Sequence, residues 1–269
     1  MRILKITLII LLVVVGILFG YQKADKALSG RNVAPKITCQ SDSIQISVKD
    51  DSSALLAGVT ASDAQDGNLT SQIRIQGISK LISDATCKVT YVVFDSHGNM
   101  AQCTRMLTYT DYEKPHFSID VPLVYTEKEE IGLLDRITAH DCLDENLTES
   151  VRVSSQAATS DPDVRMVTLQ ATNSLGDTAR LQIPVVVHTG VVARPEIHLT
   201  DYLIYLEQGA QFNSRNYLRE ITTPEGTGDK TAVKIIGDVD TSAPGTYYVY
   251  YRYPYGVTTG ISVLTVVVE

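Results

Sequence analysis

The chain has 269 residues, a formal net charge of −8 and 44% hydrophobic residues. This length exceeds that of one small domain, so several folding units are expected. Residues 1–33 carry five basic residues and one acidic residue, which leaves 18 basic and 30 acidic residues in the remainder. Such an acidic surface repels nucleic acid and anionic lipid, so no nucleic-acid partner is expected.

An uncharged run from Ile6 to Tyr21 follows Arg2 and Lys5 and precedes Lys23. A membrane-spanning helix needs roughly 20 largely apolar residues, and fewer when flanking side chains reach the interface. The basic residues favour an uncleaved signal anchor with its N-terminus inside, and a cleaved secretory signal is the alternative. Both interpretations export the rest of the chain. We therefore expect residues 1–33 to form a single-pass anchor and linker at the cell membrane, with extracytoplasmic C-terminal domains.

A ten-residue segment with the pattern A-x-D-x-x-D-x-N-L-T occurs twice. Residues 61–70 return as 139–148 with six of the ten residues identical. The turn at 95–99 returns in the same way as 173–177. A proline precedes each of three copies: Pro35, Pro115 and Pro195. Landmarks at a fixed spacing indicate tandem copies of one folding unit, and such arrays usually bind or space rather than catalyse.

Apolar residues alternate with polar ones on both sides of each turn. In the first copy they are Cys87, Val89, Tyr91, Val93, Ala101, Cys103, Leu107 and Tyr109. In the second they are Val167, Leu169, Ala171, Ala179, Leu181 and Ile183. In the third they are Tyr247, Val249, Tyr251, Tyr253, Ile261 and Val263. Period-two alternation around a short turn predicts a β-hairpin in every copy.

The order of these landmarks resembles tandem bacterial Ig-like domains, the type found in bacterial surface proteins and insecticidal crystal proteins and related to hyalin-type repeats. The second copy departs from the pattern at Glu145, where the motif has glycine, and the third copy lacks the acidic loop. The resemblance implies an all-β fold of three tandem Ig-like β-sandwiches after an N-terminal transmembrane helix. We place the domains at 34–111, 112–190 and 191–269. Their short linkers predict a semi-rigid rod.

The acidic loops have two interpretations. In one, Asp111, Glu113, Asp141 and Asp144 supply hard oxygens to a calcium ion at the joint of the first two domains. In the other, the Asp and Asn side chains cap turns by accepting hydrogen bonds from nearby backbone amides. The third copy lacks the loop yet keeps the strand pattern, which favours caps. We expect no cofactor.

Four cysteines in an exported chain suggest disulfide bonds. Cys39 and Cys103 fall on the inward phase of the first and last strands of the first copy, and hyalin-type repeats place cysteines at similar positions. We predict a disulfide between them. For Cys87 and Cys142, an inter-domain bond and two free thiols both stay open, with the free thiols favoured.

A tyrosine-rich strand in the third copy carries the candidate binding face. If Tyr247 and Tyr251 point inward, then Tyr248, Tyr250 and Arg252 form a stripe on the outer face. Aromatic residues and arginine are enriched at interface hot spots, and aromatic faces stack on sugars. Ordinary cross-strand packing is the alternative, since tyrosine also favours strands.

Catalytic signatures are lacking in the sequence. The five histidines show no metal-ligand spacing, and no nucleophile elbow or phosphate loop occurs. We therefore expect a binding protein rather than an enzyme. The expected function is adhesion at the cell surface, with a protein or glycan ligand. The alternative is a structural spacer or accessory subunit of an envelope assembly without its own ligand.

Overall fold

The computed structural model of the protein describes residues 13–18, 20–21, 33–126, 132–189 and 193–269. The chain forms two compact units, with the boundary between Thr110 and Asp111. Both units consist mainly of β-strands.

Residues 13–18 and 20–21 are helical and exposed. Most of the anchor expected at 1–33 lies outside the described residues. Within the described part of the chain, no helix is both long enough and apolar enough to span a bilayer. The membrane anchor therefore stays a prediction.

The described strands of the first unit form two packed sheets, which we call the first sandwich. They are β1 (Lys36–Cys39), β2 (Ser43–Ile46), β3 (Val59–Asp63), β4 (Gly67–Asn68), β5 (Arg74–Ile78), β6 (Thr86–Phe94) and β7 (Met100–Tyr109). One sheet has the order β1-β3-β4 and the other β2-β7-β6-β5. Strands β2 and β7 come from the two ends of the unit, and they lie side by side in parallel register. The 3₁₀ helices are Ser52–Leu56 and Thr70–Gln72.

The first hairpin prediction is confirmed. Cys87, Val89, Tyr91 and Val93 are all fully buried in the core, and β6 pairs with β7 in antiparallel register around the predicted turn. Alternate residues of a strand point to opposite faces, so one apolar phase fills the space between the sheets.

Arg105 also lies on the inward phase of β7, and it is only 3% exposed. Its guanidinium donates to the carbonyl of Leu55 at 2.7 Å, to that of Ala57 at 2.9 Å and to the hydroxyl of Tyr91 at 2.8 Å. The guanidinium carbon lies 5.0 Å from the centre of the Tyr91 ring. A buried cation is tolerated only when such bonds replace its water, so Arg105 ties the 3₁₀ helix at Ser52–Leu56 to both strands of the hairpin.

The second unit contains two further pairs of sheets. The second sandwich has β8 (His116–Ser118), β9 (Val124–Thr126), β10 (Thr138–His140), β11 (Arg152–Ala158), β12 (Val164–Thr172) and β13 (Thr178–His188). Its sheet orders are β8-β10 and β9-β13-β12-β11. Its 3₁₀ helices are Leu133–Arg136 and Thr148–Ser150.

The third sandwich repeats this order. Its strands are β14 (Glu196–Leu199), β15 (Leu203–Leu206), β16 (Leu218–Thr223), β17 (Gly226–Thr227), β18 (Lys234–Ile236), β19 (Gly245–Tyr255) and β20 (Thr258–Val268). The sheet orders are β14-β16-β17 and β15-β20-β19-β18, with β15 parallel to β20. Its 3₁₀ helices are Ser214–Tyr217 and Lys230–Ala232.

The second and third sandwiches pack face to face through their larger sheets. Val164 and Val186 on the outer face of the second form one buried apolar cluster with Ile261 and Val263 on the outer face of the third. Sheets packed this way bury side chains on both faces of the contacting strands. Within this unit the expected rod is therefore wrong in its geometry, because the two sandwiches lie side by side. We call this contact the junction.

The three-domain division with boundaries at 111/112 and 190/191 stays a prediction. The unit boundary at Thr110 lies one residue from the first of these positions. The second falls on residues 190–192, outside the described part of the chain.

Candidate functional site

The repeated ten-residue motif ties a loop to a turn. In the first sandwich Asp63 Oδ1 accepts from the backbone N–H of Gln65 and Asp66, at 2.7 and 2.9 Å. Asp66 reaches across to the hairpin turn, where its carboxylate accepts from the backbone N–H and the hydroxyl of Ser96 at 2.7 and 2.8 Å. The backbone bonds from Asp66 and Gln65 lower the pKa of Asp63. Leu69 of the same motif is buried in the core.

The second sandwich repeats these contacts. Asp141 Oδ1 accepts from the N–H of Leu143 and Asp144, at 3.1 and 2.8 Å. Asp144 accepts from the N–H of Ser174 in the next turn at 2.6 Å. The amide of Asn173 donates to Asp141 Oδ2 at 2.8 Å. Each motif aspartate therefore has a structural partner, as the capping interpretation requires.

The linker at the start of the second unit contacts this loop. Tyr112 donates from its hydroxyl to Asp177 at 2.7 Å and accepts from the amide of Asn173 at 2.9 Å. Glu113 contacts Cys142 through its backbone, with its N–H 3.1 Å from the sulfur. Among the described residues no group of three or more His, Cys, Asp or Glu side chains is arranged to hold a metal. The candidate calcium ligands Asp111, Glu113, Asp141 and Asp144 thus do not gather into such a group.

The predicted disulfide between Cys39 and Cys103 is confirmed, with the two Cα atoms 6.6 Å apart. It links β1 in one sheet to β7 in the other. Cys87 and Cys142 carry free thiols, the first buried in the core and the second partly buried. Burial raises the pKa of both thiols.

The tyrosine stripe lies on the predicted face of β19, but this face is not open. Tyr248 and Tyr250 pack against the apolar cluster of the junction. The hydroxyl of Tyr248 donates to the carbonyl of Gln182 in the second sandwich at 2.9 Å, and Arg252 forms an ion pair with Asp161. The expected binding stripe is therefore an internal contact between two sandwiches of one unit.

A signal for this burial was present in the sequence. Ile261 and Val263 pair with Arg252 and Tyr250, respectively, so they share the outer face of the sheet. Two β-branched apolar residues beside a tyrosine stripe indicate a covered face rather than a solvated one. The stripe was predicted from the alternation within β19, without the register that places Ile261 and Val263 beside it.

One end of the junction contains a cluster of charged side chains that the sequence argument did not single out. His188 follows Val186 on the outer face of β13, and its side chain is only 6% exposed. Asp163 lies 3.5 Å from both His188 Nδ1 and Arg194 Nη1. Burial is the main cause that lowers the pKa of His188, and Arg194 adds to it.

The other end of the junction opens into a cleft of about 170 Å³, which we call the junction cleft. Its lining includes Lys114, His116, Arg180, Tyr205 and Glu269, from both sandwiches. The ring of His116 packs edge-on against Tyr205, with centroids 4.7 Å apart. His116 Nε2 lies 3.2 Å from the side-chain carboxylate of Glu269. This volume corresponds to about six waters, which is enough for one sugar ring or one amino-acid side chain.

The charges of the junction cleft are mixed. Lys114 and Arg180 contribute positive charge, and Asp177 and Glu269 contribute negative charge. Arg180 is exposed and makes no ion pair within the described part of the chain. A neutral ligand rich in hydroxyl groups can use both signs as hydrogen-bond partners, so this arrangement favours polar over apolar ligands.

Comparisons with known proteins find structural likeness but no sequence family. No family model matches the chain, and no curated protein has a similar sequence. Similar solved structures include a carbohydrate-binding module with INT domains from Clostridium perfringens ZmpB, in complex with GlcNAc (20% identity, 55% of this chain and 26% of that one, TM-score 0.24). Another is the protocadherin GammaB4 extracellular domain (12% identity, 89% and 51%, TM-score 0.24). A lipoprotein from Bacteroides thetaiotaomicron also matches (10% identity, 86% and 98%, TM-score 0.22).

The chain spans about a quarter of the ZmpB structure and about half of the protocadherin structure. All of these TM-scores are below 0.5, so we draw no conclusion about function from them. The fold is therefore described as a set of β-sandwiches on the basis of the chain's own strand order.

Proposed function

We propose that the protein is an extracytoplasmic binding protein, anchored in the cell membrane by residues 1–33, that holds a protein or glycan ligand at the junction cleft. Export is supported by the disulfide between Cys39 and Cys103, because structural disulfides persist in oxidising compartments. The role is binding rather than catalysis. In the motif loops, the side chains of Asp63 and Asp141 accept hydrogen bonds from backbone amides and so serve as caps.

The observation that carries this proposal is the composition of the junction cleft. Side chains from two sandwiches meet there, and rigid strands hold them: His116 on β8, Arg180 on β13 and Tyr205 on β15. A site on strands is held more firmly than one on loops. The aromatic edge of Tyr205 and the neighbouring hydroxyls of Thr178 and Thr246 suit a glycan better than an extended peptide.

A glycan array probed with the whole chain in detergent tests the proposal. We expect binding to a defined subset of glycans, and Arg180→Ala should weaken it about tenfold or more. Arg165→Ala is the matched control, because Arg165 is an exposed arginine of the same sandwich outside the cleft. Equal binding by both variants, or no glycan binding at all, would exclude the cleft as a glycan site.

A spacer or accessory subunit is the second candidate function. The burial of Tyr248, Tyr250 and Arg252 favours it, because residues that suggested an external interface are used to join two sandwiches. A spacer needs a stiff unit without its own ligand. Loss of a partner's activity when the chain is deleted, without glycan or protein binding by the purified chain, would favour this alternative.

A further inference from the structure

The charged end of the junction connects three parts of the second unit. Asp161 and Asp163 lie in the turn before β12. Asp161 pairs with Arg252 of the third sandwich, while Asp163 lies beside His188 of β13 and Arg194 of the following linker. Two aspartates on one turn thus connect the last strand of the second sandwich to the third.

His188 is the member of this cluster whose ordinary pKa lies nearest to neutral pH. Its Nδ1 is buried and makes no hydrogen bond, although Asp163 lies 3.5 Å away. The charged groups that face it are Asp163, Asp161 and Arg194, and the Arg252 guanidinium reaches the same turn. Burial and the positive charge of Arg194 lower the pKa of His188 and outweigh the two aspartates, which raise it. The imidazole is therefore neutral when the junction is closed.

We propose that His188 and its charged neighbours form a pH-sensitive latch that holds the third sandwich against the second at neutral pH and releases it on mild acidification. Protonation places a second buried cation next to Arg194, and separation of the two faces lets water solvate it. The histidine is easier to protonate in the open form. The closed form is therefore fully stabilised above pH 6.5, the ordinary pKa of histidine. It loses that stabilisation as the pH falls through the lower pKa that His188 has in the closed form.

Opening of the latch changes which surface the unit presents. The closed junction covers Val186, Ile261 and Val263 together with the rings of Tyr248 and Tyr250. Separation exposes this apolar and aromatic face, which has the composition of a protein-binding surface. Opening would also separate the two walls of the junction cleft. The latch and glycan binding nevertheless have different readouts, so either proposal can fail alone.

Hydroxyl-radical footprinting of the whole chain, read by mass spectrometry at about pH 7.5 and about pH 5.5, tests the latch. We expect oxidation of Tyr248 and Tyr250 to rise severalfold, because separation of the two sandwiches exposes both rings to solvent. Tyr251 lies inside the third sandwich and Tyr91 inside the first, and both are fully buried. Their oxidation should stay constant. A parallel rise in the oxidation of Tyr251 would indicate unfolding instead of opening and would overturn the proposal. Unchanged oxidation of Tyr248 would overturn it as well.

Two histidine variants identify the titrating group. His188→Gln should remove the pH response, because glutamine stays neutral throughout this range. His140→Gln is the matched control, since His140 is an exposed histidine of the same sandwich on β10, outside the larger sheet that forms the junction, and it should keep the response. Retention of the response in His188→Gln would assign the effect to another group. If that variant does not fold, Asp161→Asn gives a second test, because loss of the ion pair to Arg252 should raise Tyr248 oxidation already at about pH 7.5.

Discussion

The hydroxyl of Tyr248 in the third sandwich donates a 2.9 Å hydrogen bond to the backbone carbonyl of Gln182 in the second. Burial raises the pKa of Tyr248 to about 12. This bond joins the larger sheets of the two sandwiches directly across the junction.

Tyr248→Phe should lower the free energy of unfolding of the second unit by about 1 kcal/mol, because it removes one hydrogen bond and keeps the ring. Tyr250→Phe is the control. It lies on the same face, and its hydroxyl makes no hydrogen bond within the described residues, so a change below about 0.5 kcal/mol is expected. Urea unfolding followed by circular dichroism measures both. Equal effects of the two changes would contradict a specific role for the Tyr248 bond.

Glu145→Gly should stabilise the second sandwich. Glu145 has φ 58°, whereas the equivalent position of the first sandwich is Gly67 with φ 72°. A residue with a Cβ pays roughly 1 kcal/mol or more in this left-handed conformation, and glycine avoids that cost. We expect a gain of about 0.5–1 kcal/mol, measured by thermal unfolding. Glu149→Gly, in the neighbouring 3₁₀ helix, should destabilise instead. A loss of stability in Glu145→Gly would argue against backbone strain at this position.

Removal of the disulfide should destabilise the first unit selectively. The bond between Cys39 and Cys103 spans a sequence separation of 64. A disulfide that closes a loop of that length contributes about 4 kcal/mol to the free energy of unfolding when it acts by restricting the unfolded chain. We expect the double serine variant to unfold the first unit at lower urea concentration, while the second unit is unchanged. Cys142→Ser is the control. Intact and reduced masses after thiol alkylation verify the pairing, and alkylation of four thiols without reduction would refute it.

Arg105→Lys should destabilise the first sandwich by about 2 kcal/mol, although the charge is conserved. One ammonium cannot reach Leu55, Ala57 and the Tyr91 hydroxyl together, and it loses the stacking on the ring, so a buried carbonyl is left without a donor. The exposed Arg74→Lys is the control, with a change below about 0.5 kcal/mol. Chemical denaturation measures the free energy of unfolding of both variants. No loss of stability in Arg105→Lys would mean that water reaches the buried carbonyls.

Calcium should have no effect on the motif loops. Asp141 and Asp144 already accept hydrogen bonds from backbone amides and from Asn173, and a bound ion would have to displace them. We expect no heat in calorimetry at millimolar calcium and no change in melting temperature on adding a chelator. A saturable signal that Asp144→Asn abolishes, with Asp120→Asn as the surface control, would restore the calcium interpretation.

Local sequence patterns were sufficient for the hairpins, whereas the disulfide was predicted from strand phase together with the resemblance to hyalin-type repeats. The alternation from Cys87 to Val93 has a period of two, and one buried face imposes that period directly. The acidic motif likewise encodes short contacts, such as that of Asp66 to the next turn. These features depend on contacts within a single copy.

Contacts between copies were harder to predict. His188 and Arg252 lie in different sandwiches, and their relation to Asp161 and Asp163 depends on how the sheets dock. Arg105 was missed for another reason. A charged residue at an inward-facing strand position contradicts the expected alternation of apolar and polar residues. Its partners are backbone carbonyls, which have no signature in the sequence.

The contact between His116 and Glu269 brings the two ends of the second unit together. Units with adjacent ends tolerate circular permutation and insertion into loops of other proteins. A peptide of a few residues can therefore join Glu269 to Tyr112, with new ends placed in the turn after β19. Such a rearranged unit provides a scaffold in which the junction can be studied without the rest of the chain.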